Sequence, residues 1–224
     1  MKLCLVTATP VGDAWQNNLS DLSGSDLVVF GFNGLGLVSY KKELGGETEY
    51  FSDLARLSKE LNAVIVSGCD TDTYGVYRHS AVVADRGKIL GVTDAVYSVD
   101  ESEFVSGGGF KVYETSAGRI GIIVEKDLFF SESARILSLT GADVIVCVYK
   151  KVESQMPLVM LRAGAFSNGV LSVLCAENYS AVSDVRGNVI AAGGKQINKL
   201  GVKIETDFHS VTSRRRGLFK DVKA

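Results

Sequence analysis

Gly118-Arg119-Ile120-Gly121-Ile122-Ile123-Val124-Glu125-Lys126-Asp127-Leu128-Phe129-Phe130-Ser131-Glu132-Ser133-Ala134-Arg135 leads on to Leu139-Thr140-Gly141-Ala142-Asp143-Val144-Ile145-Val146. The apolar run Ile120–Val124 has the length and β-branched content of a strand, and it stops at Glu125-Lys126-Asp127. A helix-period segment, Phe130–Thr140, comes next, then Gly-Ala-Asp and a second strand-like run, Val144–Val148. Strand, charged elbow, helix and strand in direct succession mark a mixed α/β chain.

Outward from that stretch the same alternation continues. Further strands are predicted at Leu3–Thr7, Leu27–Phe30, Ala63–Ser67, Ser80–Ala84, Lys88–Gly91, Lys111–Glu114, Leu171–Ala176, Ala181–Ser183, Val189–Ala192 and Lys203–Thr206. Helices are predicted at Thr48–Leu61 and Met156–Asn168, with a short one near Trp15–Leu22. In the first, Phe51, Leu54, Ala55 and Leu61 share a face from which Asp53, Lys59 and Glu60 are excluded.

The chain also repeats itself. Gly24-Ser25-Asp26-Leu27-Val28-Val29-Phe30 resembles Gly141-Ala142-Asp143-Val144-Ile145-Val146-Cys147, and Ser80-Ala81-Val82 with Arg86-Gly87 resembles Ser180-Ala181-Val182 with Arg186-Gly187. Asn62 and Asn168 each close a helix between these words. Each half reads as a sheet with helices on one face and a bare apolar face on the other. Pairing the bare faces gives a four-layer α-β-β-α sandwich with two pseudo-symmetric halves.

With 224 residues, 46% of them hydrophobic and 22% charged, the chain has ample material for one core, read as a single domain over 1–224. That composition and a mean hydropathy of +0.16 exclude a disordered protein. A net charge of −2 supplies no field for nucleic acid or an anionic membrane, so neither is expected as a partner. No apolar run approaches the roughly 20 residues of a membrane span, and Met1–Val6 is too short for a secretory signal and lacks a small-residue cleavage site. A soluble, cytoplasmic protein is expected. Cys4, Cys69, Cys147 and Cys175 follow no metal-ligand spacing, and only His79 and His209 could join them, so no metal and no cofactor is expected. The tail, 207–224, carries Arg214-Arg215-Arg216, Lys220 and Lys223 and reads as a solvated terminus.

The elbow stretch resembles the nitrilase, or carbon–nitrogen hydrolase, superfamily. Its pattern there is a strand, Cys-x-Asp, aromatic-Pro-Glu-x-x-Arg opening a helix, then Gly-Ala-Asp and a strand. The likeness extends to Asp26–Phe30, Asp85–Gly91, Gly164-Ala165-Phe166-Ser167-Asn168, Glu177-Asn178 and Ser180–Gly187. It implies the same four-layer sandwich, paired as a homodimer through its outer helices. It also implies a Glu general base, a Lys that holds the tetrahedral oxyanion and a Cys nucleophile. In this register those positions fall on Phe32, Ala95 and Glu125. Gly31 stands where the pattern has Pro, Ser131 where it has Pro, Gly164 where it has Arg, and Ser167 where it has Glu.

Glu125 is the most informative substitute. A carboxylate at this elbow could act as nucleophile or base, or serve as a structural anion bonded to backbone N–H groups or a lysine. Cys147 is either a replacement nucleophile or a core thiol. Tyr149, Lys150 and Lys151 follow it and could line the same mouth, while Lys126 should point away from Glu125. Glu101 and Glu103 fall where the family carries a further pocket glutamate, or in a solvated loop. Glu132 and Arg135 read as supports of the fold, His79 and Glu177-Asn178 as hydrogen-bonding corners, and Gly107-Gly108-Gly109 as a turn with φ > 0. Three functions compete: a non-catalytic family member that binds a small molecule or regulates, a hydrolase with altered residues using Glu125 or Cys147, and a structural partner subunit. A binding protein should keep a concave polar site, whereas a structural subunit would let Phe32 and its neighbours fill it.

Overall fold

The structure, a computed structural model, describes residues 1–97 and 103–205. Among the described residues thirteen strands fall into two sheets. The first sheet holds β1 (Lys2–Val6), β2 (Leu27–Phe30), β3 (Leu37–Ser39), β4 (Val64–Thr73), β5 (Val76–Asp85) and β6 (Lys88–Asp94), with β13 (Ile197–Gly201) at its edge. The second holds β7 (Val112–Thr115), β8 (Gly118–Val124), β9 (Val144–Val148), β10 (Leu171–Cys175), β11 (Ser180–Ser183) and β12 (Val189–Gly193).

Alternate residues of each central strand face opposite layers. Leu3, Leu5, Leu27, Val29, Val64 and Val66 meet Ile120, Ile122, Val144, Val146, Leu171 and Val173 between the sheets. On the outer face of the first sheet Cys4, Val28, Phe30 and Ile65 pack beneath α1 (Val11–Asn17), α2 (Leu19–Leu22) and α4 (Tyr50–Leu61); α3 (Tyr40–Gly45) follows β3. On the second sheet Ile123, Ile145, Cys147 and Leu174 pack beneath α5 (Ser131–Leu139) and α6 (Met156–Asn168). Both faces of every central strand are therefore covered, which is why these strands read as unbroken apolar runs. The expected four-layer sandwich is the fold.

The internal repeat has a structural counterpart. In one half β1, β2 and β4 run parallel and are followed by antiparallel β5 and β6; in the other, β8, β9 and β10 run parallel and are followed by antiparallel β11 and β12. The Asp that opens β2 or β9 does the same work in each. Asp26 accepts from Lys2 N at 2.6 Å and its own N–H donates to Lys2 O, as Asp143 accepts from Arg119 N at 2.9 Å and donates to Arg119 O. The Ser-Ala-Val words sit on equivalent strands with their faces exchanged: Ala81 lies between the sheets, Ala181 under the helices. A one-residue slip reverses every side chain of a strand.

Some expectations need correction. The last strand is Ile197–Gly201 rather than Lys203–Thr206; Val202 and Ile204 instead pack into the inter-sheet core from an extended segment, and Thr206 lies outside the described residues. Strands β4 and β5 each extend well past the apolar runs that announced them, into a long polar hairpin. The short first helix is two helices broken at Asn18. Among the glycines at 107–109 only Gly109 has positive φ, 150°; Gly107 is needed because a Cβ there would lie 2.6 Å from Asp94 Cβ. The tail 207–224, with His209 and its basic residues, and Glu101 lie outside the described residues.

Candidate functional site

The elbow after β8 is a 3-10 helix, Glu125–Phe129, entered through Glu125 at φ 52°. A left-handed backbone at a non-glycine residue costs roughly 1–2 kcal/mol, so something must hold it. Two sets of bonds do. The Glu125 carboxylate accepts the backbone N–H of Lys150, just beyond β9. The buried Asp127 carboxylate accepts Val96 N and Tyr97 N, both at 2.8 Å, and Ser133 Oγ donates to the Asp127 carbonyl. Asp127 thus draws the loop that begins at Ala95 onto the elbow. Burial pushes its carboxyl pKa up, and the two backbone donors oppose that.

Phe32 arrives from the other sheet. After β2 the chain turns through Gly31 into a 3-10 turn, Phe32–Gly34. Gly31 passes so close to β10 that a Cβ would lie 2.8 Å from the Ala176 carbonyl carbon, and a Cβ on Gly68 of β4 would lie 2.6 Å from Phe32 Cα. The Phe32 ring is 1% exposed. His79 meets it edge-on at 5.4 Å, and Lys150 Nζ lies 5.0 Å from its centroid. Lys150 Nζ is also 5.1 Å from the Phe104 ring and 3.3 Å from Asp70 Oδ2, while Asp70 Oδ1 is bonded to His79 Nδ1 at 2.5 Å. Phe104 stacks on His79 at 3.8 Å. A cation held between two aromatic faces and a carboxylate is well compensated for its partial burial.

Phe32, Glu125 and Lys150 follow the carboxyl ends of the parallel strands β2, β8 and β9. The sequence pattern of the carbon–nitrogen hydrolase family matches residues 19–213. The chain belongs to the carbon–nitrogen hydrolase family. A nitrilase of Pyrococcus abyssi is 27% identical over 201 residues, 82% of this chain and 75% of that protein. A probable nitrilase of Schizosaccharomyces pombe is 29% identical over 110 residues, which are 46% of this chain and only 40% of the yeast protein. Among solved structures, Nit3 of Saccharomyces cerevisiae, described as a member of branch 10 of the nitrilase superfamily, superposes with a TM-score of 0.73 at 18% identity, covering 91% of each chain.

Set on this carbon–nitrogen hydrolase fold, Phe32, Ala95 and Glu125 are all buried, at 1%, 3% and 6% exposure, and the contacts of Lys150 and Asp127 draw their segments together. Ala95 offers a methyl group and backbone bonds to His79 O and from Gly107 N. Lys150 joins Glu125 through its backbone and Phe32 through its ammonium. Lys126 is half-buried on the 3-10 helix, and Glu103 is exposed. Tyr149 packs with the helix-side core, its ring 6.4 Å from Phe129; burial and the nearby Glu125 charge push its hydroxyl pKa up to about 12. Cys147 is completely buried on the helix side of β9, where burial and the charge of Glu125 hold its thiol well above the ordinary range. Asp70, His79 and Phe104 were not legible as a cluster. His79 reads as a corner, and Asp70 lies in the polar extension of β4, where no apolar run betrays a strand. Among the described residues no group of His, Cys, Asp and Glu is gathered as a metal site, and no helix is long and apolar enough to cross a membrane.

Proposed function

We propose that this protein uses the carbon–nitrogen hydrolase fold without hydrolysing amides or nitriles, as a regulatory or structural member of its family. The observation that carries this reading is the Phe32 ring, 1% exposed and enclosed by His79, Lys150 and Gly68 where the resemblance calls for a general base. A filled centre of this kind favours a structural role over small-molecule binding at that point. The chemistry agrees. Phe32 and Ala95 carry no ionisable group, and losing one oxyanion donor alone costs about 10²–10³ in rate. A carboxylate attacking an amide would form a mixed anhydride, a harder step than forming a thioester, with no lysine at position 95 to hold the oxyanion.

A hydrolase with altered residues is the competing reading, and Glu125 is its better nucleophile, since Cys147 is sealed into the helix-side core with a raised thiol pKa. The test is a broad panel of amides and nitriles offered to purified protein. No turnover is expected. Turnover that disappears in Glu125→Gln overturns the proposal. We further propose that the protein is a homodimer, with the outer faces of α5 and α6 in the interface.

A further inference from the structure

We draw no further inference here: the strongest candidate, the open cleft lined by Arg162 on α6 and Arg186 on the turn between β11 and β12, lies on the helix face already proposed as the dimer interface, and nothing in the structure shows what covers it.

Discussion

At the scale of single residues, burial decides what the ionisable groups can do. All four thiols are completely buried and unpaired in disulfides, and burial raises each pKa above 9.0, to about 11 for Cys4 and higher for Cys69 and Cys175. No cysteine should therefore react rapidly with iodoacetamide in the native protein, and fast, selective labelling of Cys147 followed by mass spectrometry would contradict this. The same shifts predict a pH dependence. The folded state holds these protons longer than the unfolded chain, so the stability they contribute is intact below pH 9.0 and is lost as pH rises through the folded values. Each thiol can steepen the loss by up to about 1.4 kcal/mol per pH unit. Urea midpoints should fall between about pH 9 and about pH 11 under reducing conditions, and a flat profile would show that the thiols ionise freely when folded. Glu125 makes the opposite case of a charge that is bonded where it is buried. Glu125→Gln should destabilise by about 1–2 kcal/mol, because the Lys150 N–H then meets a neutral acceptor. A chemical-denaturation curve indistinguishable from wild type would remove that bond from the account of the elbow.

Elements were legible where their apolar period was strong and hidden where polar residues carried the backbone. Met156–Asn168 was read to the residue and Phe130–Thr140 to within one at each end, since each keeps an apolar face toward β8, β9 and β10. Strand β13 escaped because Ile197-Asn198-Lys199-Leu200-Gly201 is a half-exposed edge that pairs only on its β1 side. Val202 and Ile204 mimic the alternation of a strand through packing alone. In the candidate site, the pairing of Asp70 with His79 could not be read from the sequence, because the two meet only through the antiparallel pairing of β4 with β5. The close passage of the Phe32 turn over β4 is also invisible in sequence, and it gives a sharp prediction. Gly68→Ala places a methyl 2.6 Å from the Phe32 backbone, which cannot rotate away. A loss of about 2–3 kcal/mol is expected, comparable with overpacking a core. A stability change near zero, measured in urea, would mean that the turn lies further from β4.

On the scale of the whole molecule, two pseudo-equivalent sheets satisfy each other and leave the helix layers to meet whatever lies outside. Leu137 and Leu161 on the outer helices are buried against the second sheet. The residues left facing outward are Ile136 on α5 with Met156 and Val159 on α6, at 41%, 52% and 46% exposure, and Phe129 on the elbow at 37%. Exposed apolar side chains on the outer helices are candidates for an association surface. A two-fold pairing would set α5 and α6 of one copy against those of the next, burying the same patch on both. Light scattering at micromolar concentration should return about twice the chain mass of 24.0 kDa. Ile136→Glu together with Val159→Glu should shift the mass to that of one chain with the far-ultraviolet spectrum unchanged, because both side chains leave the core intact while two buried carboxylates per copy would oppose pairing. A wild-type mass of one chain, or a dimer indifferent to the double substitution, would assign these helices to solvent.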